Sequence, residues 1–161
     1  MQIVRKSGPR FLLLVLLAMA VAACGDADAS ATTMDGMEMG LNAEVPDDLD
    51  TATTKPTANG AFVATIDTAM DPLPLNEIHE WVLHVETPDG VPVDNAAVTI
   101  AGGMPQHNHG FPTEPAVTES LGNGDYRVEG VRFSMAGWWT MEFAVSADGV
   151  SDSVVFNVVL P

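Results

Sequence analysis

Residues His79–Glu86 alternate without a break: His79, Trp81, Leu83 and Val85 fall on one face, and Glu80, Val82, His84 and Glu86 on the other. A side-chain period of two belongs to a half-buried β-strand, whose successive Cβ atoms project to opposite sides of the pleat. A helix of 3.6 residues per turn cannot sort these residues onto two such faces. Pro88-Asp89-Gly90 then closes the run with turn chemistry. Residues 62–66, 96–101, 115–121, 126–133, 138–145 and 154–160 read as further short strands, with Gly122-Asn123-Gly124 and Asp148-Gly149 as tight turns that tolerate positive φ. In residues 138–145, Trp139, Met141, Phe143 and Val145 share one side, so Met141 reads as core. Seven short strands with frequent turn signals and no helical stretch predict an all-β fold. The expected architecture is a single immunoglobulin-like antiparallel β-sandwich of about seven strands, occupying residues 61–161.

The chain ahead of that domain has a different character. Residues 1–23 contain Arg5, Lys6 and Arg10 and no acid, and the apolar run 11–23 ends in small residues. A basic start, a short apolar stretch and small residues at the end make a secretory signal. The run is shorter than the roughly 20 residues a helix needs to cross a bilayer. Val21-Ala22-Ala23-Cys24 resembles the lipobox of bacterial lipoproteins. That resemblance implies cleavage before Cys24 and attachment of lipid to its sulfur; the other reading is an ordinary signal followed by an incidental cysteine. Cys24 is the only cysteine, so it has no internal disulfide to form. Acyl chains contribute about 0.8 kcal/mol per buried methylene, so two or three of them anchor durably. The expectation is an exported protein held by lipid on the cell membrane or outer membrane, facing the periplasm or exterior.

Removing residues 1–23 takes away three of the six basic residues and none of the 22 acids, leaving a net charge of about −19. The remaining cations are Lys55, Arg127 and Arg132. Nucleic-acid binding needs clustered Lys and Arg, so that class is excluded, and so is an electrostatic grip on anionic lipid. Residues 24–60 are rich in Ala, Thr, Asp, Gly and Met and poor in branched or aromatic residues, with eight acids from Asp26 to Asp50. Such a stretch buries too little apolar surface to offset ordering entropy, and reads as a disordered tether. Within it, Met34, Met37 and Met39 lie close to Asp35 and Glu38. Thioether sulfur selects Cu(I) and nearby carboxylates favour an incoming cation, so this segment is a candidate for accessory copper capture.

The domain's own chemistry concentrates in Met104-Pro105-Gln106-His107-Asn108-His109-Gly110, which follows the third strand and is flanked by Gly102, Gly103 and Pro112 as loop punctuation. In extended backbone, His107 and His109 point to the same side and could reach one ion. Met104 lies three residues before His107, and Met135 sits in a second loop. Imidazole suits Cu(II) and Zn(II) while thioether suits Cu(I), so the mixed set favours copper over zinc. The competing reading is structural: histidines on a loop can simply bond backbone groups. His84, on the face of Glu80 and Glu86, is expected to be solvated.

Several ordered motifs carry a family resemblance. They are His79-Glu80-Trp81, Gly90-Val91-Pro92-Val93, Gly103-Met104-Pro105 with His107, His109 and Gly110, Pro115 with Val117-Thr118, Gly124 with Tyr126 and Val128-Glu129-Gly130, Phe133-Ser134-Met135, and Gly137-Trp138-Trp139. Over residues 60–160 the chain resembles the YtkA-like family, which is related to FixH-like proteins. The resemblance implies an exported or membrane-attached domain connected with copper handling or respiratory oxidase assembly. It also adds His79 to His107 and His109 as an imidazole ligand, with Met104 or Met135 as thioether ligand.

Catalysis finds no support in the residues: the cysteine is spent on lipid, no serine has a nucleophile elbow, and no phosphate-cradling glycine loop occurs. The chain therefore reads as a non-enzyme. Two functions stay open. One is a membrane-anchored lipoprotein that binds copper for sequestration or delivery. The other is a metal-free immunoglobulin-like module that docks on an envelope or respiratory-complex protein.

Overall fold

The computed structural model describes residues 45–161. Cys24, Met34, Met37, Met39 and the signal segment lie outside the described residues. Among the described residues there are nine strands: β1 Thr54–Pro56, β2 Val63–Asp67, β3 His79–Glu86, β4 Ala97–Met104, β5 His109–Gly110, β6 Ala116–Gly122, β7 Asp125–Val131, β8 Gly137–Ala147 and β9 Val150–Leu160. They pair antiparallel into two sheets, β1-β2-β3-β7-β6 and β5-β4-β8-β9, which form the sandwich that the alternation predicts. The seven expected strands are all found, and the two additional ones, β1 and β5, have three and two residues.

Turn chemistry sets the register. Asn123 and Gly124 have φ of 57° and 78°, and Asp148 and Gly149 have 52° and 80°. Two consecutive residues of positive φ give the turn whose twist matches that of the strands it joins. From Asp148-Gly149 the β8–β9 ladder runs unbroken from Ala147↔Val150 to Gly137↔Leu160. The core lies between the sheets. Trp81, Leu83 and Val85 of β3 and Tyr126, Val128 and Val131 of β7 meet Trp139, Met141, Phe143 and Val145 of β8 and Val154, Phe156 and Leu160 of β9. Met141 is fully buried, as its register predicts. Each large apolar side chain removed from water contributes roughly 1.5–3 kcal/mol. The Tyr126 hydroxyl staples the β3–β4 connection, donating to Val93 O and accepting from Ala96 N at 2.9 Å.

Two sequence expectations are corrected. Gly102 and Gly103 are strand, not loop: they continue β4, opposite Met141 and Thr140 of β8. A Cβ at Gly102 would lie 2.2 Å from Thr140 O, and one at Gly103 would lie 2.1 Å from His109 O. These glycines serve close backbone approach, a role that in a sequence looks the same as loop punctuation. The second correction concerns the boundary at residue 60, because β1 lies inside the segment read as tether. Residues 50–58 run along the free edge of β9: Ala58 N donates to Ser153 O at 2.8 Å, Lys55 Nζ to Val155 O at 3.3 Å, and Asn157 Nδ2 to Asp50 O at 2.8 Å. Order there comes from the pairing of β1 with β2 and from bonds to β9, not from apolar side chains of its own, so its composition gives no sign of it. Covering the edge also blocks the open hydrogen-bonding row of an 11-residue strand.

Asp152 fastens this cover. Its carboxylate accepts from Asn59 N and Asn59 Nδ2, both at 2.9 Å, and from Ala61 N at 3.2 Å. The side chain of the neighbouring Thr57 and the backbone N–H groups of Ala61, Ser153 and Asn59 hold its carboxyl well below the usual carboxylate range. A depressed carboxyl contributes stability above the unfolded-state value of about 4 and loses it as pH falls. Asp152→Asn is therefore expected to lower the thermal midpoint at neutral pH and to flatten the loss of stability on acidification. Thermal unfolding followed from neutral pH to below pH ~3 tests this, and a variant with the wild-type acid profile contradicts it.

Candidate functional site

The functional residues are placed by the segment joining β4 to β5. Pro105–His107 make one 3₁₀ turn, with the proline in its first positions and Asn108 in the left-handed region at φ 51° ending it. Pro presets the φ a helical turn needs, and Asn is one of the few residues that tolerates the left-handed exit. His107 therefore lies in the turn and His109 opens β5, so the two are not on one extended run, contrary to the sequence expectation. The turn still sets them side by side, both exposed, with ring centroids 6.0 Å apart and planes inclined by 35°.

His109 is oriented on two sides. Its Nδ1 lies 2.9 Å from Gly110 O, and because a carbonyl only accepts, Nδ1 carries the proton and Nε2 keeps a lone pair. Its ring meets Trp139 edge-on at 5.5 Å. Trp139, fully buried, donates its indole N–H to Met135 O at 3.1 Å. Gln106 Oε1 accepts from Trp138 N at 3.2 Å. Gly137, at φ 119°, permits this approach, since a Cβ there would lie 2.5 Å from Met104 Cε. The two loops are thus tied together, and the Met135 side chain is left 39% exposed. A shallow cleft of about 160 Å³ runs beneath, lined by Gly103, Pro105, Asn108, His109 and Thr140 among others.

The other two residues of the sequence-derived ligand set are inside. Met104 is 1% exposed and belongs to the core, its methyl packed at Gly137. His79 is 8% exposed at the start of β3 and packs on Phe133 at 5.6 Å and Trp81 at 6.2 Å between ring centroids. Its Nδ1 contacts Glu77 O at 3.2 Å and its buried Nε2 has no partner. Burial pushes its pKa down, favouring the neutral ring. Only a relay of rings, Phe133 to Trp139 at 5.4 Å, connects His79 to the His109 end. His107 and His109 are therefore brought together and exposed, Met135 is exposed in the loop that Trp139 binds, and His79 and Met104 lie inside. Among the described residues no three His, Cys, Asp or Glu side chains converge to hold a metal.

One group escaped the sequence reading. His84, expected to be solvated, is partly buried and bonded through Nδ1 to Asp125 Oδ1 at 2.7 Å, with Glu86 Oε2 3.6 Å from its Nε2. The alternation already puts His84 and Glu86 on one face; what it cannot give is the β3–β7 register that sets Asp125 opposite His84.

Comparison with known proteins adds a family. A family model described as YtkA-like matches residues 63–144, from the start of β2 into β8. A solved structure, a ZirS C-terminal domain, aligns at 17% identity and a TM-score of 0.40, covering 94% of this chain and 95% of that one. No curated protein matches.

Proposed function

The chain belongs to the YtkA-like family, and from that premise we propose that it is a lipid-anchored envelope domain whose exposed end takes up copper through His107, His109 and Met135, for sequestration or delivery. The observation that carries this reading is the paired imidazoles, 6.0 Å apart on a turn that a proline starts and a left-handed asparagine ends. Metal–imidazole bonds are about 2.0–2.1 Å, so modest side-chain rotation brings both rings onto one ion. A ligating histidine usually donates its other ring N–H to a carbonyl or carboxylate, which is the arrangement His109 has with Gly110. Two imidazoles and an exposed thioether form a soft, low-coordinate set that suits Cu(I). The acidic chain favours any approaching cation. Copper bound here would be held at the surface, where a partner can remove it.

A second reading has its own support. His79 and Met104 are buried, so the ligand set implied by family resemblance is incomplete at the surface. On this reading the same loop end is a metal-free docking face for an envelope protein.

Titration of a soluble form beginning at Gly25 with Cu(I) and Cu(II) separates the two. Uptake of one Cu(I) with a Kd below about 1 μM is expected, weakened at least tenfold by His107→Ala with His109→Ala. These positions are exposed, so the double variant is expected to keep its thermal midpoint. Binding that is absent, or that survives the double substitution, contradicts the copper reading. For the anchor, mass spectrometry of the N-terminal peptide is expected to find lipid on the Cys24 sulfur with residues 1–23 removed; a free thiol there refutes it.

A further inference from the structure

A second constellation of donor groups lies on the outer face of the five-stranded sheet. His84 and Glu86 follow one another on that face of β3, five and seven residues from His79 along the strand. At about 3.3 Å per residue His84 is roughly 16 Å from His79. Asp125, at the start of β7, is the cross-strand partner of His84. The hairpin that delivers Asp125 is fixed: Gly124 N donates to Asp94 Oδ1 at 2.6 Å, and a Cβ at Gly124 would lie 2.4 Å from Val85 O and 3.3 Å from His84 Cε1. Arg127, two residues along, is engaged by Glu80 and Glu119 at 3.2 and 3.1 Å.

The proton in the 2.7 Å contact between His84 Nδ1 and Asp125 Oδ1 sits on nitrogen, because an ionised carboxylate only accepts. In the neutral ring Nε2 then has only a lone pair, and it lies 3.6 Å from Glu86 Oε2, beyond hydrogen-bond distance. With the ring neutral, two acceptors face one another, with side chains 28% and 33% exposed, and a cation between them would satisfy both; with the ring protonated the same contact is an ion pair. A carboxylate on the far ring nitrogen is also what orients an imidazole for a metal and raises its basicity.

We propose that His84 Nε2 and Glu86 Oε2 bind a divalent first-row ion, with Asp125 as the residue that positions the imidazole. Imidazole with carboxylate suits Zn²⁺ or Cu²⁺, whereas the loop end, with its thioether, suits Cu⁺. No third side chain of the described residues joins them, so water completes the coordination and the ion exchanges readily. The site is independent of the copper reading, sharing no residue with it.

Equilibrium dialysis of the full chain in detergent, with Zn²⁺ alone at neutral pH, tests the proposal. One Zn²⁺ is expected to bind His107→Ala/His109→Ala as it binds wild type, and to be lost in His84→Ala. Glu86→Gln, which leaves the Asp125 contact intact, is expected to weaken binding as well. Asp125→Asn is expected to lower affinity roughly tenfold. Nitrogen-15 spectra of His84 are expected to show Zn²⁺ shifting Nε2 while Nδ1 stays protonated. Absence of Zn²⁺ uptake by wild type, or uptake unchanged in His84→Ala or Glu86→Gln, overturns the site; wild-type affinity in Asp125→Asn overturns the positioning role.

Discussion

The contact of Phe133 with Trp139 holds the loop end of this domain. The two rings meet edge to face at 5.4 Å, one from the segment after β7 and the other from β8, so the contact joins the two sheets. Such a pair contributes about 0.5–1.5 kcal/mol beyond the area it buries. Its larger consequence is positional. Phe111 stacks on Trp139 at 5.7 Å, His79 packs behind Phe133, and His109 rests on the edge of Trp139. The indole N–H of Trp139 fixes the backbone of Met135. A buried, rigid ring therefore sets the spacing between the histidine turn and the methionine loop, two exposed segments with little packing of their own.

The opposite side of the sandwich meets a different constraint. Strand β9 is long and would leave an open row of backbone groups at the edge of its sheet. Residues 50–58 cover that row, and Lys55 combines the bond to Val155 O with an ion pair to Asp50 at 2.9 Å. Arg127 is held by two glutamates and Arg132 by Asn76. The cations of the described residues are thus engaged by these groups, and the acidic groups without such a partner are left to solvent or to cations from outside.

What the sequence reveals follows from which interactions are local. The His79–Glu86 alternation and the Asn123-Gly124 and Asp148-Gly149 turns have their causes within a few residues, and the corresponding strands and hairpins are where those residues predict. The expected sides of Trp139, Met141, Phe143 and Val145 also hold. Order in residues 50–58 depends on pairing with β2 and on β9, a hundred positions away, and nothing in Thr, Ala, Lys and Pro announces it. Met104 looks like a loop ligand because it precedes Pro105; only pairing across Gly102 and Gly103 carries β4 far enough to bury it. The cluster of His84 with Asp125 is hidden for the same reason, since it exists only once β3 and β7 are in register.

Copper uptake by this β-sandwich is proposed to use the imidazoles of His107 and His109 and the thioether of Met135, with the buried Trp139 against His109. X-ray absorption at the copper edge, on the Cu(I)-loaded soluble form, bears on it most directly. The expected ligand shell holds two imidazole nitrogens and one thioether sulfur, with the imidazole contribution gone in His107→Ala/His109→Ala. A shell of sulfur alone, or one whose imidazole signal survives that substitution, would contradict it.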